Sequence, residues 1–376
     1  MSLTGQWSGT KSDGSYIKVN LIESQGEIEG TISELTALIS QDKKISIWGY
    51  STFIGTINET SLSGVTHIIG VYTIDGRLLS KNQIVELEES YEIKFNKQIN
   101  FSGELFSGRT AINVKTYRWN NNSKEILDSF AINKSIVDKS IIESEVTTWN
   151  EFKSFILTES SGKLFRGQEQ DWALQTSFHR FSHSDIPSYL DNEFKEVEHH
   201  INSSTNNMYD TNTNASLAKL LHLAQHHGYP TPLLDWTKSP YIAAFFAFHN
   251  AKENNDGNVS IFIFDDEYFK RNHQNKLFED IYLYTPINLV LSLELSSFNN
   301  PRTLPQQSVT MFSNINNIEL YLQGFNRPKI LRRVCIPIFE RKMVLKELQL
   351  MGISWNTMFP GLDGVCKNLK WQHFEA

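Results

Sequence analysis

The residues best suited to chemistry lie in the second half of the chain. Arg166 stands between Phe165 and Gly167, and its planar guanidinium carries fixed donors that match the paired oxygens of a pyrophosphate or the edge of a ribose. Gly167, with no Cβ, lets backbone or ligand come close. The same arginine can instead pair with a buried carboxylate, Asp235 being the obvious one. Asp235-Trp236-Thr237-Lys238-Ser239-Pro240 reads as a loop running into a helix, because Pro suits a first helical turn and Thr237 or Ser239 can cap exposed amides. Such a helix start attracts an anion such as a dinucleotide phosphate; equally, the two hydroxyls can be caps and nothing more. His222 and His226 are four apart and share a helix face, but no Cys or acidic residue nearby completes a ligand set, so no metal is expected. His226 is either a hydrogen-bonding residue beside a cleft or a core histidine holding the loop before Gly228 and Pro230. Gln306 and Gln307 follow Pro305 in a strand or an ordered loop.

Four groups of residues recur in a defined order. They are Leu164-Phe165-Arg166-Gly167-Gln168 with Trp172 and Arg180; Ala224 through Pro240, running into Ala243 to Ala247; Asn300-Pro301-Arg302 with Gln306 and Gln307; and Gly352-Ile353-Ser354 with Thr357 through Gly364. Together they resemble the FRG domain family, named for its Phe-Arg-Gly tripeptide, over roughly residues 148 to 376. That family is itself proposed to resemble ADP-ribosyltransferases, in which an Arg or His, a Ser/Thr-rich motif leading into a helix, and a later Glu or Gln surround NAD. The resemblance implies NAD as substrate, with Arg166, Gln306 and Gln307 as catalytic residues. It implies nucleotide contacts from Arg166, Gly167, Gln168, His226, Asp235, Trp236, Thr237 and Ser239, with Trp236 flanking the nicotinamide.

The third position of that pattern hydrogen-bonds the ribose while positive charge builds on the sugar, and a Gln stabilises that charge less than a Glu does. The chain also departs from the family pattern at Ser308 and Thr310, where a Gly and an aromatic residue are usual, and at Pro232, where an Arg is often found. The implied activity is transfer of ADP-ribose to a macromolecule, protein or nucleic acid, or hydrolysis of NAD, in a bacterial toxin or phage-defence effector. The alternative is a non-catalytic nucleotide- or protein-interaction module with a β-domain sensor.

The elements that must position these residues change character along the chain. Up to about residue 118, short runs rich in Val, Ile, Thr and aromatics alternate at period two, as in Tyr16 to Ile22, and are broken by glycines. They predict an all-β barrel or sandwich over residues 1–120, with the Gly5-Gln6-Trp7 opening reading as a Trp that plugs a barrel end. The asparagine run Asn120 to Asn122 marks the expected boundary. A connector over 121–147 and an α+β domain over 148–376 follow, the latter opening on a capping box at Thr148 and Glu151. Tyr241 to Phe248 reads as a buried helix and Val259 to Phe264 as a buried strand.

The 376 residues carry 35 Lys and Arg against 42 Asp and Glu, a formal charge of −7, which argues against binding polyanions through overall charge. The basic run Arg327, Lys329, Arg332, Arg333, Arg341 and Lys342 is the local exception, either a solvated face or a polyanion site. Two cysteines and the lack of a long apolar stretch predict a cytoplasmic protein without a membrane partner.

Overall fold

The computed structural model describes the chain except at residues 1, 41–42, 121–122, 206–207, 210, 212, 252–256, 274–285, 295–300, 326–328 and 375–376. Asn121, Asn122, Asn300 and Arg327 therefore lie outside the described residues.

Eight antiparallel strands close a barrel: β1 (Gly5–Thr10), β2 (Tyr16–Ser24), β3 (Glu27–Ser40), β4 (Lys43–Ile57), β5 (Ser61–Thr73), β6 (Gln98–Phe106), β7 (Ala111–Asn120) and β8 (Ser123–Lys134). A helix, α1 (Lys81–Ser90), lies between β5 and β6 behind a Ser80 capping box. β1 pairs with β8 through Trp7↔Lys134 and Gly9↔Ile132, which completes the ring. Asn120 pairs with Ser123, so β7 and β8 are antiparallel neighbours, and residues 123 to 134 of the expected connector form the closing strand of the barrel. The register shifts where Thr116 pairs with Asp128 and Tyr117 with Ile126, leaving Leu127 as an extra residue. That bulge sets Ile126 beside Leu127 and hides the period-two pattern in the sequence.

The remaining strands are β9 (Ser144–Val146), β10 (Leu164–Gln168), β11 (Leu233–Thr237), β12 (Asn258–Phe264), β13 (Val290–Leu293), β14 (Ser308–Ser313) and β15 (Leu331–Pro337). They form one sheet in the order β13-β14-β11-β10-β12-β15-β9, antiparallel except where β15 meets β9. The helices are α2 (Trp149–Glu159), α3 (Ser177–Arg180), α4 (Ile186–Asp191), α5 (Glu193–Ser204), α6 (Asn214–His226), α7 (Pro240–Phe248), α8 (Asp266–Asn272), α9 (Ile318–Gln323), α10 (Arg341–Leu350), α11 (Trp355–Met358) and α12 (Leu362–Phe374). Thr148 caps α2 with Glu151 reciprocating, as its spacing predicts.

The run Val259 to Phe264 is apolar except at Ser260, and buried throughout, because both faces of β12 are covered. Val259, Ile261 and Ile263 pack with α2, α7 and α10, while Phe262 and Phe264 pack with Trp236, Phe269 and Ile318 on the other side. Asp235-Trp236-Thr237 is the end of β11 and not a loop, since Trp236 and the preceding leucines are buried strand residues.

The two halves meet along a packed seam. Ile17, Val19 and Leu21 fill the barrel, yet the outward residues Lys18 and Asn20 are buried as well. Trp48 joins the core formed by Phe178, Tyr189, Phe194 and Leu220. Burial pulls the Lys18 ammonium down to about 7, with Asp185 opposing. Gln6 Nε2 donates to Asn20 Oδ1 (3.0 Å) and to the Asn314 carbonyl (3.1 Å), and Gln6 Oε1 accepts from the Asn316 amide (3.0 Å). Gln6→Ala strands those buried groups and is expected to destabilise the chain by about 2 to 4 kcal/mol in denaturant titration; a loss below about 1 kcal/mol contradicts the seam's structural weight.

Candidate functional site

Strand β10 runs between β11 and β12, and α7 lies directly over it. A Cβ at Gly167 would overlap the Ala243 carbonyl oxygen and stand 2.6 Å from the Ala247 nitrogen. Gly167 is therefore the residue that admits the helix backbone, and Ala243, Ala244 and Ala247 keep that side of the helix thin. Phe165 buries under α7, while Arg166, the next residue along β10, lines a cleft of about 350 Å³.

The cleft draws its walls from many parts of the chain. Arg166, Gln168 and Glu169 come from β10 and its end, Gln225 and His226 from the end of α6, Asp235 and Thr237 from β11, Phe246 from α7, His249 from the residue that ends it, and Arg302, Gln306 and Phe359 from later segments. Trp172 and Arg180 complete it. Arg166, Gly167, Gln168, His226, Asp235, Trp236, Thr237 and Gln306 thus border one space although they span more than a hundred residues of sequence.

Arg166 Nη1 donates to the main-chain carbonyl of Asp235, not to its carboxylate, and Arg166 Nε is buried without a partner. Burial lowers this guanidinium to about 10, with the Asp235 charge opposing and Arg180 adding to the fall; it stays charged at neutral pH. Arg302 stands over the Phe359 ring at 5.1 Å. Three guanidiniums, Arg166, Arg180 and Arg302, therefore face two carboxylates, Asp235 and Glu169, within one cleft. That balance suits an anion carrying several oxygens.

The imidazoles are neutral. His226 is pushed down to about 4 by burial and then by Arg302, His227 and His222, against the pull of Asp235. His249 falls to about 4 through burial, although its contacts with the Phe246 and Phe245 carbonyls oppose the fall. Its Nδ1 lies 2.9 Å from the Phe246 carbonyl, an acceptor, so Nδ1 carries the proton and Nε2 the lone pair.

Two of the expected site residues, Ser239 and Gln307, lie outside the cleft lining. Ser239 Oγ caps α7 by accepting from the Ile242 amide (3.3 Å), and Ser239 does not border the cleft. Gln307 sits at φ +48° with its carbonyl accepting from the Lys238 amide (3.1 Å), outside the cleft lining. Trp236 borders the cleft, but its indole is mostly core, 2% exposed and 5.7 Å from the Phe264 ring. The aromatic residues of the lining that are not buried are Trp172, Phe246 and Phe359.

Thr237 Oγ1 donates to the Gln306 carbonyl (2.7 Å), and Gln306 Nε2 donates to the Met358 carbonyl (2.8 Å), which ties the third segment to β11 and α11. Three residues of the basic run are engaged within the fold. Arg332 pairs with Glu145 at 2.7 Å, Arg333 donates to the Ile142 carbonyl, and buried Arg341 donates to the carbonyls of Phe248 and His249. Among the described residues no three His, Cys, Asp or Glu side chains gather as a metal site, and no helix is long and apolar enough to cross a membrane.

Residues 161–256 match the FRG domain family. The match is narrower than the span from 148 to 376 that the motifs suggest; it takes in Arg166, His226, Asp235 and α7 but leaves out Arg302, Gln306 and Phe359. No curated protein matches the chain.

Two expectations follow from this packing and these charges. Gly167→Ala drives a methyl group into helix backbone and is expected to cost about 3 kcal/mol, read as a lower unfolding midpoint; a neutral result removes the close approach of α7 as a constraint. His226 and His249 hold folded values below the ordinary 6.5 of the unfolded chain, so the unfolded state binds more protons between pH 6.5 and about 4. The contribution of these two histidines to stability is full above that window and is lost as pH drops through it. Thermal unfolding at pH 7 and pH 5 checks this, with a smaller drop expected for His249→Gln; a flat wild-type profile contradicts it.

Proposed function

We propose that the cleft in and around the FRG segment binds NAD or a related nucleotide, and that it transfers ADP-ribose from NAD to a macromolecular target. The observation that carries the reading is the cluster of three guanidiniums beside aromatic rings, with the buried Arg166 Nε lacking any protein partner. A desolvated donor without an acceptor is costly, and a pyrophosphate oxygen meets that need. Arg180 and Arg302 add charge for the second phosphate, and Trp172, Phe246 and Phe359 offer faces on which a base or nicotinamide ring can stack.

In the transfer step the bond between the ribose C1′ and the nicotinamide nitrogen breaks, and nicotinamide leaves neutral with the electron pair. A bond then forms from C1′ to the target nucleophile, whose proton passes to a base. Asp235 is exposed and borders the cleft; its carboxylate supplies the negative charge that a cationic sugar carbon needs. Neutral His249, with its lone pair on Nε2, can take the proton. Water in place of the target nucleophile gives NAD hydrolysis. The setting that the FRG resemblance brings to this chemistry is a cytoplasmic effector, a toxin or a phage-defence protein.

A second reading, nucleotide binding without catalysis, is favoured by Gln306: its carboxamide is engaged with the Met358 carbonyl, and no carboxylate stands in its place. Incubating the protein with labelled NAD and candidate protein, DNA and RNA, while following nicotinamide release and label transfer, separates the two. Release with transfer supports the transferase, and binding alone supports the second reading.

Arg166→Lys keeps the charge but loses the fork. It is expected to weaken nucleotide binding by about 1 to 3 kcal/mol, and Arg166→Ala to abolish it. Unfolding temperature is measured beside affinity, and a large loss of stability with unchanged affinity per folded molecule contradicts the assignment.

A further inference from the structure

The barrel interior is not filled along its whole length. Toward the start of β1 it is closed, since Leu3 and Trp7 are fully buried and Trp7 Nε1 donates to the Leu3 carbonyl (2.8 Å). Beyond them, inward residues of the following strands, among them Val19, Phe53, Phe101, Val114 and Phe130, surround a cavity of about 130 Å³. Apolar protein cavities of roughly 150 Å³ stay free of water and take up a single aromatic ring. This one has the size for a ring or a short alkyl chain.

Toward the end of β1 the lining turns polar and charged. Lys11 and Glu34 both border the cavity and pair at 2.9 Å, and Asp128 comes within 3.9 Å of Lys11 Nζ. Against burial, which alone lowers it, Glu34 with Asp13 and Asp128 holds the Lys11 ammonium above its usual value. Two carboxylates, Glu34 and Asp128, therefore lie within 4 Å of one ammonium, and Glu34 borders the cavity. Glu34 Oε1 already accepts from both Lys11 and Thr36, which leaves Oε2 to receive another donor. The excess negative charge repels an anionic head and attracts a cation.

We infer that the barrel binds a small primary amine with an apolar tail, a ring or chain of about six carbons occupying the cavity and its ammonium group lying beside Glu34. This site is separate from the nucleotide cleft and does not depend on it. Its lining alternates along the strands with outward residues, so the barrel pattern itself supplies the apolar walls.

Titration calorimetry of the full chain at pH 7 with hexylamine, 1-hexanol and hexanoate tests it. Hexylamine is expected to bind saturably and at least about tenfold more tightly than hexanoate, with 1-hexanol between them. Val114→Phe, whose ring occupies the cavity, is expected to remove binding. Glu34→Gln, which leaves the apolar lining untouched, is expected to shrink the preference for the amine over hexanoate to about threefold or less. Absence of saturable hexylamine binding overturns the inference, as does hexanoate binding equally well, or undiminished binding in folded Val114→Phe. Where Val114→Phe does not fold, Glu34→Gln decides, and an unchanged preference overturns it.

Discussion

The close approach of α7 to β10 at Gly167 is the contact on which the cleft depends. Helix backbone occupies the space that any side chain at this position would take. The small residues Ala243, Ala244 and Ala247 let the helix settle there, and the larger residues of the same helix fall to its flanks. Phe246 and His249 then stand along one wall of the cleft while Arg166 and Gln168, the neighbours of Gly167 on β10, stand along another. A shift of the helix by the width of a methyl group changes the spacing between those walls. The tripeptide that marks the family thus joins a structural residue to a charged one, with Phe165 holding the core beneath.

Concentrating arginines in one cleft of an acidic chain has an electrostatic cost, and the surroundings reduce it. Asp235 offsets the burial of Arg166, Phe359 offers its ring face to Arg302, and the histidines remain neutral so that no further positive charge gathers. What stays unmet is a hydrogen-bond acceptor for Arg166 Nε. The barrel is held to this half by a seam of paired polar groups around Gln6 and by Trp48 set into the helical core, so the strands of the first half also brace α3 to α6.

Much of the fold was legible because its signals are local. Period-two alternation revealed the barrel strands, and the mainly apolar run from Val259 to Phe264, broken only by Ser260, revealed a strand covered on both faces. The closing strand was missed because the Leu127 bulge broke the alternation, and nothing local in the sequence tells that another half of the chain covers Lys18 and Asn20. Arg166, His226, Asp235 and Gln306, singled out by their types and order, line one cleft. Ser239 and Gln307 lie outside its lining, in a helix cap and a tight turn. Trp236 borders the cleft, while alternation along β11 turns its indole into the core. Arg302 and Phe359 belong to the cleft only through tertiary folding. Phe246 was hidden within a helix whose overall apolarity suggested burial alone, and His249 is the residue that caps its end.

The most direct test of the central claim is a structure of the full chain determined with NAD or ADP-ribose. The account predicts the pyrophosphate within hydrogen-bonding distance of Arg166, with an oxygen meeting Nε, Arg180 and Arg302 around it, and a ring against Trp172, Phe246 or Phe359. A nucleotide bound elsewhere, or one bound in the cleft while Arg166 keeps only the Asp235 carbonyl and its Nε stays covered by protein, contradicts it.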